Sequence, residues 1–157
     1  MNMDQTLLST IILGIIGIAI TLYYSRHSKK LAHEQMLKQL FTEFNDRYDN
    51  LNNYLVEIEK NYPTLELLEK AKNSAELKQK VIDYFSLCAE EFFWYHHKGR
   101  IDGIIWKSWN AGMNYWYNDV PAIKDLWELE IKANGKASYY ITDGHEFFKI
   151  DNGKKPD

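Results

Sequence analysis

The stretch Cys88-Ala89-Glu90-Glu91-Phe92-Phe93-Trp94-Tyr95-His96-His97-Lys98-Gly99-Arg100 gathers a thiol, two carboxylates and two imidazoles within thirteen residues. Metal ligation is the chemistry such a set first suggests. Ligands on one helix share a face only at spacings of three or four. Glu90 and His97 are seven apart, and neither Glu-x-x-His nor His-x-x-x-His occurs in the stretch. Carboxylate-bridged di-iron bundles repeat a Glu plus Glu-x-x-His pattern across their helices, and that repeat is missing. No metal and no cofactor is assigned. A glycine-rich phosphate loop, a Gly-x-Ser-x-Gly elbow and a paired Cys-His nucleophile are likewise absent, so no catalytic residue is assigned.

Glu91 is the informative member. Tyr84, Cys88, Glu91 and Tyr95 fall on one helical line, which places a carboxylate in an otherwise apolar seam. A buried carboxylate must find donors or stay near water, because an unpaired buried charge is very costly. Arg100, Lys98 and the indole N–H groups of Trp106 and Trp109 are the donors close in sequence. Two readings follow. Glu91 is a structural latch between two helices, or it is a polar contact at the bottom of an aromatic groove lined by Trp106 and Trp109. Glu90 projects about 100° away from it and faces elsewhere. Trp106, Trp109, Trp116 and Trp127 are all candidates to line such a groove or a partner surface, and all four are simplest as core. Cys88 is simplest as a small buried apolar residue, and His27, His33 and His145 as solvated side chains.

The elements that must position these residues are helical. Leu37, Phe41, Phe44, Tyr48, Leu51, Leu55, Ile58 and Tyr62 alternate at spacings of 4 and 3, the sign of a long helix packed along one seam. Pro63 ends it. A short helix is predicted over 64–72. Asn73-Ser74-Ala75-Glu76 offers a capping box for the next helix, closed near Gly99. Asp102 is the expected N-cap of a helix over 103–118, Pro121 opens another, and Asp143-Gly144-His145-Glu146 caps a last short one. Residues 138–142 are the one candidate strand, and one strand alone makes no sheet. The fold class is all-α: an N-terminal transmembrane helix running on into a long helix, followed by a compact aromatic-rich bundle. The expected divisions are residues 1–5, a transmembrane helix at 6–24, a basic juxtamembrane and heptad segment at 25–62, a bundle at 63–150 and a flexible tail at 151–157.

Residues 6–24 contain no charge, and nineteen residues at 1.5 Å each come close to crossing about 30 Å of hydrocarbon. The hydroxyls of Ser9, Thr10 and Thr21 can bond back to the helix's own carbonyls. A cleaved secretory signal fits poorly: Met1-Asn2-Met3-Asp4-Gln5 has an acid and no base, and no small-x-small site follows the apolar run. Arg26, Lys29 and Lys30 come directly after it, so the positive-inside rule puts the N-terminus outside and the body in the cytoplasm, with these cations near anionic headgroups. Thr10, Gly14, Gly17 and Thr21 form a stripe of small residues, a hint of packing between spans. From residue 31 onward there are 16 Lys and Arg against 21 Asp and Glu, a balance of −5, which lacks the basic footprint of a nucleic-acid binder. The single cysteine excludes a disulfide framework within the chain and suits a reducing compartment.

The strings Leu87-Cys88-Ala89-Glu90-Glu91-Phe92-Phe93-Trp94, Lys98-Gly99-Arg100-Ile101, Trp106-Lys107-Ser108-Trp109 and Gly112-Met113 resemble a group of short bacterial single-pass membrane proteins of unknown function. The similarity is clearest over residues 80–130. It implies a bacterial inner-membrane setting and transfers no catalytic residue. The function expected is that of a non-enzymatic, membrane-tethered adaptor that binds another protein, or a second copy of itself, through its helices. A stress or antiviral effector acting on the membrane through its span is one alternative. A ligand sensor or enzyme using the Glu and Trp groove is another.

Overall fold

A computed structural model of the chain describes residues 3–149, with side chains from residue 7. Five α-helices appear in the order α1 (Met3–Asn61), α2 (Leu65–Glu69), α3 (Ser74–Phe92), α4 (Gly103–Asp119) and α5 (Pro121–Asn134). A π-helical turn, Phe93–His97, extends α3, and two 3-10 turns, Lys136–Tyr139 and Glu146–Phe148, follow α5. The described residues contain no strand. The expected tail at 151–157 lies outside the described residues. The chain divides into two units, Met1–Phe41 and Thr42–Asp157, with α1 contributing to both. The second half of the predicted seam helix therefore belongs with the bundle.

In the first unit α1 carries a window with mean hydropathy 2.1, none of it buried. Leu7, Ile11, Ile15, Ile18 and Leu22 are each at least half exposed. This helix is long and apolar enough to cross a membrane. The Thr21 hydroxyl donates to the Gly17 carbonyl at 2.8 Å, so the helix itself satisfies that polar group.

The second unit is built on the seam. Phe44, Leu51, Leu55 and Ile58 are buried, and Tyr48 is half-buried. Burial in this unit begins at Phe44, where the Trp109 ring meets it edge-on at 5.6 Å. α3 runs antiparallel to α1: Lys80 lies over Tyr54, Tyr84 adjoins Tyr48, and Glu90 meets Arg47. α4 returns beside α1, with Trp109 at Phe44 and the Trp116 indole donating to the Tyr48 hydroxyl at 3.0 Å. α5 begins at the opposite end, where the Ala122 N–H donates to the Pro63 carbonyl at 2.9 Å.

Local signals account for the boundaries. Pro63 stops α1, the Thr64 hydroxyl accepts from the Leu67 N–H, and Asp102 accepts the Ile104 N–H at 2.7 Å. The capping box expected at 73–76 does not form. Asn73 precedes α3 with φ −104 and ψ 26, away from the extended geometry that aims a capping side chain at the helix, and it makes no side-chain cap bond. The candidate strand at 138–142 does not form: Ser138 and Tyr139 end the 3-10 turn Lys136–Tyr139, and Tyr140 follows in the left-handed region.

The aromatic core centres on Trp127, which is fully buried. Phe85, Tyr139, Phe147 and Phe148 surround it at centroid distances of 4.9, 4.9, 5.0 and 5.2 Å, and its indole donates to the Gly144 carbonyl at 2.6 Å. Buried Asn110 donates to the Phe147 carbonyl at 2.8 Å, holding the C-terminal turn against the core. Edge-to-face rings and satisfied donors of this kind let few residues bury a large apolar area.

Candidate functional site

The predicted carboxylates separate as their helical positions require. Glu90 is half-buried and points to α1, where Arg47 grips it with both terminal nitrogens, Nη1 to Oε2 at 2.6 Å and Nη2 to Oε1 at 3.1 Å. This is the two-point geometry that suits a guanidinium and a carboxylate. Glu43 lies 4.0 Å from the same nitrogen, and the Arg47 guanidinium carbon sits 6.0 Å from the Phe44 ring centre.

Glu91 is buried, 6% exposed. Burial pushes its carboxyl up to about 8; the Arg47 charge pulls it down, and the charge of Glu90 pushes it up further. Near neutral pH the group is therefore largely a protonated acid. Burial likewise holds the Tyr84 hydroxyl and the Cys88 thiol well above their ordinary values. Cys88 is thus a protonated, enclosed thiol rather than a nucleophile.

The cation that acts on Glu91 comes from α1, and the sequence reading did not consider it. Arg100 and Lys98 are exposed instead. The reason lies in the wide turn that ends α3. The Lys98 N–H donates to the Phe93 carbonyl at 3.1 Å, the Gly99 N–H to Tyr95 at 3.1 Å and the Arg100 N–H to Trp94 at 2.9 Å. Gly99 turns left-handed at φ +57, which closes the helix and swings residues 98–100 into solvent. Lys98 then lies over the Phe93 ring at 5.2 Å.

Trp106 is buried and stacks on Tyr95 at 4.7 Å, while Trp109 is half-buried against Phe44. An open depression of about 300 Å³ lies between α1 and α3, walled by Arg47, Asn50, Leu51, Asp83 and Ser86. Arg47 links it to the carboxylate pair, but neither Glu91 nor the two tryptophans are among its walls. The predicted span residues lie in the first unit: Gly14 and Gly17 have open space where a Cβ would stand, and Arg26, Lys29 and Lys30 are exposed. Among the described residues no group of three His, Cys, Asp or Glu side chains is placed to hold a metal ion.

His145, expected to be solvated without companions, has two. Its Nδ1 is 3.1 Å from the Tyr117 hydroxyl and 3.8 Å from Glu128, and the same hydroxyl donates to Glu128 at 2.9 Å. Twenty-eight residues separate Tyr117 from His145, so no local spacing announces the group.

What the arrangement can do chemically is limited. A carboxyl near neutrality is suited to proton transfer, and Glu91 stands apart from the walls of the depression between α1 and α3. The tie between α1 and the end of α3 is the Arg47–Glu90 pair. No family model, curated protein or solved structure matches this chain.

Proposed function

We propose that the chain is a membrane-anchored, non-enzymatic helical adaptor at the cytoplasmic face of a bacterial membrane, binding another protein or a second copy of itself. The observation that carries the reading is the contrast between the two units. One presents a wholly exposed apolar helix, and the other has a complete core of its own. An apolar helix of that length left in water would be a large unfavourable surface, whereas lipid removes the penalty.

The direction of insertion rests on Arg26, Lys29 and Lys30 following the span with no cation before it. The bacterial setting rests on the resemblance noted above. The adaptor role rests on a body with internal polar ties, the half-buried Arg47–Glu90 pair and the buried Asn110 amide on the Phe147 carbonyl.

The test is cross-linking in native membranes at physiological level, followed by gentle solubilisation and mass spectrometry. A stable partner or a homo-oligomer is expected. Recovery of monomer alone, or digestion of the body by protease added to intact cells, overturns the reading.

A further inference from the structure

The loop that leaves α3 carries exposed cations beside an exposed apolar side chain. Lys98, Arg100 and Lys107 are exposed, and Ile104 between them is 83% exposed. The one acid among residues 96–108 is Asp102, whose carboxylate already accepts the Ile104 N–H as the cap of α4. A unit with an acidic balance thus carries a short cationic segment with an exposed isoleucine within it. An exposed isoleucine alone is ordinary. One flanked in sequence by exposed cations matches the surface of an anionic bilayer, where headgroups attract the charges and the apolar side chain enters the acyl boundary.

The loop's place in the unit strengthens the match. Glu90 at the end of α3 meets Arg47, and Trp109 in α4 meets Phe44. The loop between them therefore lies at the end of the unit where the chain enters at Thr42. Seventeen residues separate Tyr24 from Thr42. That short covalent link keeps lipid at high effective concentration for the unit.

We infer that Lys98, Arg100, Ile104 and Lys107 form a second membrane-contacting surface, selective for anionic lipid, that docks the body onto the bilayer. The inference rests on the reading of α1 as a span.

The experiment uses the full chain in vesicles of phosphatidylcholine alone or mixed with phosphatidylglycerol. An Ile104→Cys variant is labelled with an environment-sensitive fluorophore; Cys88 is 1% exposed and shielded from the reagent. In the anionic vesicles emission should rise several-fold, be quenched by brominated acyl chains and fall at high salt. Each cation contributes on the order of five-fold to docking, so Lys98→Gln, Arg100→Gln and Lys107→Gln together should lower it by roughly a hundred-fold. Equal emission in both kinds of vesicle, from a chain that resists carbonate extraction, overturns the docking surface and spares the anchor. A chain that carbonate strips from the vesicles overturns both.

Discussion

Arg47 and Glu90, 43 residues apart, close a two-point ion pair that ties the second unit's first helix to the end of α3. Both side chains are more than a third exposed, so water screens the attraction. Replacing either Arg47 by Met or Glu90 by Gln should cost about 1 kcal/mol, and a double-mutant cycle by urea unfolding should return a coupling of similar size. Additive costs would mean the pair is only geometric.

Glu91 sets a pH dependence. Its carboxyl is raised from an ordinary 4.5 to about 8, so the folded state holds a proton that the unfolded chain has released across that window. Where the native state binds more protons, stability falls as pH rises. The loss begins near pH 4.5 and levels off above about 8. Glu91→Gln, neutral throughout, should flatten the curve and leave the variant more stable at pH 8.5, by on the order of 3–5 kcal/mol. Thermal unfolding in detergent from pH 5 to 9 measures it; parallel curves for the two proteins contradict the assignment.

Trp127→Phe keeps a ring in the core but removes the donor to Gly144 and part of the area packed on Phe147 and Phe148. A destabilisation of about 2–3 kcal/mol is expected, from a buried carbonyl left unpaired and a small void. Chemical denaturation reads the size. A loss under half a kcal/mol contradicts the packing described.

Gly99→Ala tests the turn after α3. No atom lies within 4 Å of the added Cβ, so the cost comes from the backbone alone, at φ +57. It should be about 1 kcal/mol. Gly112→Ala serves as the contrast: it lies within α4 with equally open space, and should be neutral or slightly stabilising.

The helices were legible because their signals are local. Pro63, the Asp102 cap and the spacing of Leu51, Leu55 and Ile58 each act within a turn or two of the chain. The apolar run at 6–24 needs only composition to be noticed. Glu91 stood out because it interrupts a seam. Its controlling cation did not, because Arg47 reaches the site through tertiary packing between helices far apart in sequence. The nearer cations were misleading: a wide π turn, for which the local sequence offers no rule, rotates Lys98 and Arg100 away. Asn73 shows the same limit in reverse, a suitable residue whose backbone is turned by the preceding loop.

The C-terminal turn has a consequence for biogenesis. Phe147 and Phe148 finish the nest around Trp127 and Phe85, and the Asn110 amide donates to the Phe147 carbonyl. Synthesis delivers the apolar helix before this closing turn. In the anchored reading, a nascent chain is tethered to the bilayer with its aromatic pocket still open, and the pocket shuts only once Phe147 and Phe148 have left the ribosome.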